Sequence, residues 1–153
     1  MKSCQQLWLH QIIHLMMNNI TVEVTDQLYS FSLLRAYPSK LFIFGDNTMR
    51  IGKGGQAVIR DEPNAMGIAT KNAPTNEYYG YMSDHWLVEN RIVIDADIAK
   101  IVKRAKKNNN IIVFPINGIG TGMAMLAEKA PKTFAYLNKR LKEVFEFNNF
   151  KEE

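Results

Sequence analysis

Two short stretches of this chain hold residue types that act together on a phosphorylated sugar. In the first, Asp46 and Asn47 follow the apolar run of residues 41–44 and precede Gly52, Lys53, Gly54 and Gly55. Glycines let backbone N–H groups converge on one point with no Cβ in the way, which is how a loop grips phosphate. A carboxylate and a carboxamide beside such a loop hydrogen-bond ribose hydroxyls, or hold a water for attack on an anomeric carbon, with Asp46 as general base. The plainer reading of the same pair is an Asx turn that caps the loop. The second stretch runs from Phe114 and Pro115 into Gly118, Gly120, Thr121 and Gly122, where the threonine hydroxyl adds a donor to a phosphate. Lys71 closes a third apolar run and is placed to reach a phosphate or a ribose edge.

The elements that must position these residues follow from hydrophobic patterning. Residues 41–44 (Leu-Phe-Ile-Phe) are apolar without interruption, as suits a strand buried on both faces, and Gly45 is expected to end it. Residues 56–61 read as a helix whose N-terminus adds its dipole to the anion site. Residues 20–24 alternate and predict a strand with one solvated face, while 28–36 fits either a strand or a short helix. A strand is predicted over 65–70 and another over 111–114. Ile94, Ile98, Ile101, Val102 and Ala105 recur at helical spacing, so 95–107 is an amphipathic helix stopped by the asparagines at 108–110. A second long helix is expected over 128–147, with Pro131 in its first turn. Residues 72–90, with Pro74, Gly80, Tyr78, Tyr79, Tyr81 and Trp86, lack periodicity and read as a binding loop or as a surface loop whose aromatics pack down.

Strand and helix alternate, which predicts a single three-layer α/β domain with a mixed, largely parallel sheet flanked by helices. Ligands in such sheets sit outside the carboxyl ends of the strands. If the strands before the two glycine loops are parallel neighbours, both loops flank one crevice.

The totals agree with one domain: 153 residues, 46% hydrophobic and 22% charged, with a net charge of +4. That mild charge suits an anionic small molecule and does not call for nucleic acid. The basic run of Lys100, Lys103, Arg104, Lys106 and Lys107 reads as a solvated helix face. A lone cysteine, Cys4, excludes a disulfide framework and makes a reducing cytoplasm the expected compartment. His10 and His14 lack the glutamate of a zincin pair, so neither a metal nor a cofactor is invoked. Residues 1–17 are apolar but too short and interrupted to span a membrane. They read as an N-terminal extension, either an amphipathic helix or a piece upstream of the usual start, ahead of a domain over 18–150.

The glycine loops fit no common nucleotide motif. Gly52-Lys53-Gly54-Gly55 lacks the Gly-Lys-Ser/Thr ending of a Walker A element, the run from Gly118 to Gly122 lacks the Rossmann spacing, and no Gly-x-Ser-x-Gly elbow is present. The order of a first strand ending in Asp26, a buried strand ending in Asn47, a Gly-x-Gly-Gly loop and a late Gly-x-Gly-x-Gly loop resembles the macro domain over roughly residues 20–145. It is similar also to small macro-like proteins of phages and bacteria. The resemblance implies an ADP-ribose-binding fold, with Asp26 on the adenine amine, Asn47 on the distal ribose, Gly52, Gly54 and Gly55 over the phosphates, and Gly118, Gly120, Thr121 and Gly122 closing from the other side. Asp46 departs from the family's asparagine doublet, and Lys53 interrupts the glycine run. Three functions stay open: an enzyme that hydrolyses an ADP-ribosyl linkage with water held by Asp46 or Asn47, a module that binds ADP-ribose or a related nucleotide without turnover, and a structural protein whose aromatic loop or apolar N-terminus makes a homo-oligomer contact.

Overall fold

The uninterrupted apolar runs make sense once both faces of the sheet are considered. In the computed structural model, Leu41, Ile43, Ile112 and Phe114 point into one hydrophobic cluster, and Phe42, Phe44 and Val113 into another on the opposite face. The structure describes residues 3–6, 9, 20–108 and 110–149. Four strands, β1 (Thr21–Thr25), β2 (Lys40–Asn47), β3 (Ala65–Lys71) and β4 (Ile111–Pro115), form one sheet in the order β1-β4-β2-β3. Every ladder pair in it is parallel. Helices α2 (Leu87–Asn108) and α4 (Pro131–Phe145) bury Ile94, Ile98, Ile101, Leu137 and Leu141 on the first face. Helix α1 (Phe31–Ala36) contributes Leu34 to the second, with Tyr29, Ala57 and Ile59. The domain therefore has three layers, helices on both faces of a parallel sheet.

Several elements differ from the sequence reading for local reasons. The ambiguous residues 28–36 form a helix from Phe31, because the Ser30 hydroxyl accepts a hydrogen bond from the N–H of Leu33 and caps it. Strand β2 does not stop at Gly45: its ladder with β3 continues to Asn47 through a bulge at Asp46/Asn47. The helix expected over 56–61 is a five-residue 3-10 turn, Gly55–Ile59, too short to supply a helix dipole. Helix α2 starts eight residues before position 95. Its first turns hide the period because Asn90 points inward, donating to Ser83 O and Thr133 Oγ1, while Val88 and Ile92 point outward.

The helix expected over 128–147 is two helices, α3 (Leu126–Lys129) and α4. Pro131 lacks an N–H and pushes the preceding residue out of helical geometry, so Ala130 sits at φ −147°, ψ 70°. The cap that Ala130 cannot supply comes from Asp84, whose carboxylate accepts from the N–H of Lys132 and Thr133 and from the Thr133 hydroxyl. Burial raises the Asp84 pKa, but these hydrogen bonds outweigh it and hold the group below its ordinary value. Within 72–90 the chain forms two 3-10 turns and doubles back on β3 through a Lys71–Tyr81 bridge. Its aromatics do not all pack down: Tyr78, Tyr79 and Trp86 are exposed. The expected extension over 1–17 lies mostly outside the described residues. Among the described residues no helix is long and apolar enough to cross a membrane.

Candidate functional site

The connections explain where a crevice opens. The chain leaving β2 turns to the face that carries Ala57 and Ile59, whereas the chain leaving its neighbour β4 turns to the face that carries α4. Loops departing to opposite faces from adjacent parallel strands leave a gap at their carboxyl ends. The β2–β4 ladder stops at Phe42↔Val113, so the last residues of the two strands are free to splay. Gln56 spans the gap: its Oε1 accepts from Gly45 N–H at 2.9 Å and its Nε2 donates to Gly118 O at 3.0 Å. One side chain thus replaces the missing ladder and sets the spacing of the two loops.

Here lies a hollow of about 520 Å³, within the usual range for small-molecule sites. Its walls include Asp46, Asn47, Gly52, Gly54, Gly55, Lys71, Gly120 and Gly122. Among the described residues, no acceptor is found for the N–H groups of Gly52, Lys53 and Gly54 on one side, or of Gly120, Gly122 and Met123 on the other. Gly52 and Gly120 take φ of 90° and 78°, the left-handed region that glycine adopts without strain. The methyl of Met123 approaches the first loop, 3.4 Å from where a Cβ on Gly54 would stand.

Asn47 and Asp46 play different parts. Asn47 is buried; its Nδ2 donates to Ile51 O at 2.8 Å, and its Oδ1 has no hydrogen-bond partner. That oxygen is closed off from the crevice, so the cost of its missing donor is borne by the fold and a ligand in the hollow does not reach it in this arrangement. Asp46 is fully engaged. Its Oδ1 accepts from Arg60 at 2.5 Å and from Asn47 N–H at 2.7 Å, and its Oδ2 accepts from Arg50 at 3.3 Å. Arg60 also donates to the carbonyls of Gly52 and Ile51 and lies over the Phe44 ring, so the ion pair anchors the first glycine loop to the sheet. Arg50 carries on through its Nη2 to both carboxylate oxygens of Asp97, which in turn accepts from the N–H of Ala69 on edge strand β3. Burial works against the Arg50 charge, and the carboxylates of Asp97 and Asp46 more than offset it.

The cations of the crevice are tied down. Lys71 donates to Thr75 O at 2.8 Å with its ammonium over the Tyr81 ring, and burial lowers its pKa. Lys53 pairs with Asp61, whose carboxyl the hydrogen bond and the lysine charge hold below its ordinary range. Three residues assigned from sequence stand outside the hollow's walls. Asp26 is exposed after edge strand β1, with β4 between it and β2. The Thr121 hydroxyl donates to Asn117 O at 2.6 Å and closes its own turn instead of offering itself to a ligand. Gly118 faces inward, where a Cβ would meet Asn149 at 2.7 Å. Sequence reasoning missed Gln56, Arg60 and Asn149. Asn149 pins the second loop by accepting from Ile119 N–H and donating to Ile119 O. Gln56 alone carried a signal, a polar residue between a glycine pair and an apolar run. Among the described residues no cluster of histidine, cysteine or carboxylates is fit to hold a metal ion.

Fold and site together define a parallel α/β domain with a glycine-walled crevice at the carboxyl edge of its sheet. The sequence profile of DUF7831, a family of unknown function, matches residues 24–140, a span that takes in both glycine loops. The chain belongs to that family. No curated protein and no solved structure matches it.

Proposed function

We propose that the crevice binds ADP-ribose or a related nucleoside diphosphate, with the diphosphate between the two glycine loops and a sugar beside Asp46 and Asn47. The observation that carries this reading is the set of backbone N–H groups from both loops that lack an acceptor and belong to residues of one hollow's walls. Charge neutralisation by lysine is secondary, since Lys71 and Lys53 already have partners. Recognition without turnover is favoured over hydrolysis, because Asp46, the stronger base of the pair, is held by two guanidinium groups and a backbone N–H. A water activated by Asp46 would have to break that arrangement. Calorimetric titration with ADP-ribose tests the reading: saturable heat at micromolar to millimolar ligand is expected, and its absence at millimolar ligand overturns it. An ADP-ribosylated substrate incubated with the protein should come back intact; release of ADP-ribose would overturn the non-catalytic part.

A further inference from the structure

The crevice has a third wall. Among the described residues, the hollow takes nothing from β1 or the chain just after it, whereas Pro74, Thr75 and Asn76, beyond edge strand β3, line it. Pro74 packs on the first glycine loop, 3.0 Å from where a Cβ on Gly52 would stand. The stretch that follows is tightly built. The Thr75 carbonyl accepts from Lys71 Nζ at 2.8 Å, its hydroxyl accepts from Glu77 N–H at 3.2 Å, and the Gly80 carbonyl accepts from the N–H groups of Asn72 and Ala73. Asn72 Nδ2 donates to the carbonyls of Tyr79 and Tyr81. Gly80 lies so close that a Cβ on it would stand 2.5 Å from the Thr75 carbonyl oxygen. This fixed loop nonetheless presents open rings at the 3-10 turn Tyr78–Gly80: Tyr78 is 88% exposed and Tyr79 58%, the two rings meeting at 85°. Tyr81, by contrast, already has the ammonium groups of Lys71 and Lys129 over its ring.

We propose that Tyr78, with Tyr79 beside it, is the stacking platform for the nucleobase of the crevice's ligand. The inference rests on the reading that a nucleoside diphosphate lies between the glycine loops, and it adds which way round that ligand lies. The hollow extends from those loops toward β3 and not toward β1, so a sugar beside Asp46 and Asn47 carries its base toward the third wall. Two residues of chain, at most about 7 Å, separate Asn76 in that wall from Tyr78. Among the described residues no aromatic side chain lines the hollow itself, so a base held by stacking lies past its rim. A tyrosine with an open ring suits that task, because it loses little conformational freedom on binding and the loop that carries it is already ordered. Stacking accepts any base, so the platform selects nucleotides as a class and leaves the choice among bases to other contacts. The orientation is the reverse of one in which Asp26 meets the base: Asp26 follows the opposite edge strand, β1, outside the hollow's walls.

Calorimetric titration of ADP-ribose into surface variants reads the outcome. Tyr78→Ala should weaken binding about fivefold or more, the lower end of what one stacked base contributes. Its melting temperature should be unchanged, because the ring is solvent-facing. Tyr78→Phe should bind as the wild-type chain does, since the ring and not the hydroxyl makes the contact. Wild-type affinity in both Tyr78→Ala and the double variant Tyr78→Ala/Tyr79→Ala overturns the inference while the crevice reading stands. A loss that Tyr78→Phe shares overturns it too, because the contact is then the hydroxyl. So does a loss in Asp26→Ala with the tyrosine variants unaffected, which assigns the base to the β1 edge. Absence of any ADP-ribose binding by the wild-type chain ends the crevice reading and this inference with it.

Discussion

Replacing Asp46 with asparagine separates a structural anion from a catalytic base. The side chain is 4% exposed, and removing its charge leaves Arg60, itself 14% exposed, with the carbonyls of Gly52 and Ile51 as its acceptors. Breaking a buried ion pair from one side costs about 3–5 kcal/mol. The lower end applies, because the two carbonyls remain and an asparagine oxygen can still accept from the N–H of Asn47. Arg50 adds little, being 38% exposed, 3.3 Å away and still paired with Asp97. A loss of about 3 kcal/mol should lower Tm by roughly 6–12 °C in a domain of this size. Urea unfolding of Asp46→Asn, Arg60→Ala and the double variant gives the coupling directly: the double variant should be little worse than Asp46→Asn alone. On the proposed function ADP-ribose affinity should fall as well, since the same arginine fastens the first glycine loop to the sheet. Stability within about 0.5 kcal/mol of wild type, together with loss of a measured turnover, would refute this reasoning and return Asp46 to the role of general base.

Other consequences follow from the same geometry. Gln56→Ala should cost about 2 kcal/mol by chemical denaturation and weaken ADP-ribose binding, because Gly45 N–H and Gly118 O both lose their partner. Gly54→Val should leave the melting temperature nearly unchanged while weakening the ligand in titration, since Gly54 has an ordinary φ of −79° and its nearest obstruction is the flexible end of Met123. Gly120→Val, by contrast, should destabilise the fold itself by about 2 kcal/mol or more, because its φ is 78° and an added Cβ would stand 3.1 Å from both Thr70 and Leu126. Asp84 should make stability acid-sensitive: its folded pKa is depressed, so its contribution is complete above the unfolded value near 4, falls as pH drops through the folded value, and is absent from Asp84→Ala, which loses about 1–2 kcal/mol at neutral pH. Melting curves from pH 7 to 2.5 check this, the two proteins converging at the acid end.

What the sequence disclosed and what it hid divide along a physical line. The buried strands were legible because a strand flanked by helices on both sides must be apolar at every position, and residues 41–44 and 111–114 are. The meeting of the two glycine loops was legible only conditionally, since it needed β2 and β4 to be parallel neighbours, and that adjacency depends on helices far away in the chain. Helix starts were the poorest guide. Asn90 turned inward and Ile92 outward at the head of α2, one to bond Thr133 and the other onto an open face, and either reversal erases the period that marks a helix. The partners of Asp46 were hidden for another reason. Arg60 lies 14 residues on, at no helical or strand spacing from it, and the two meet only because the 3-10 turn Gly55–Ile59 carries the chain back over Phe44. An acid beside a glycine loop therefore suggests a base when read along the chain, and becomes an anchor once an arginine arrives from out of register. The asparagine next to it is tied to Ile51 O and its oxygen is closed off, so the proposed recognition falls to the loop N–H groups, while Asp46 holds them in place.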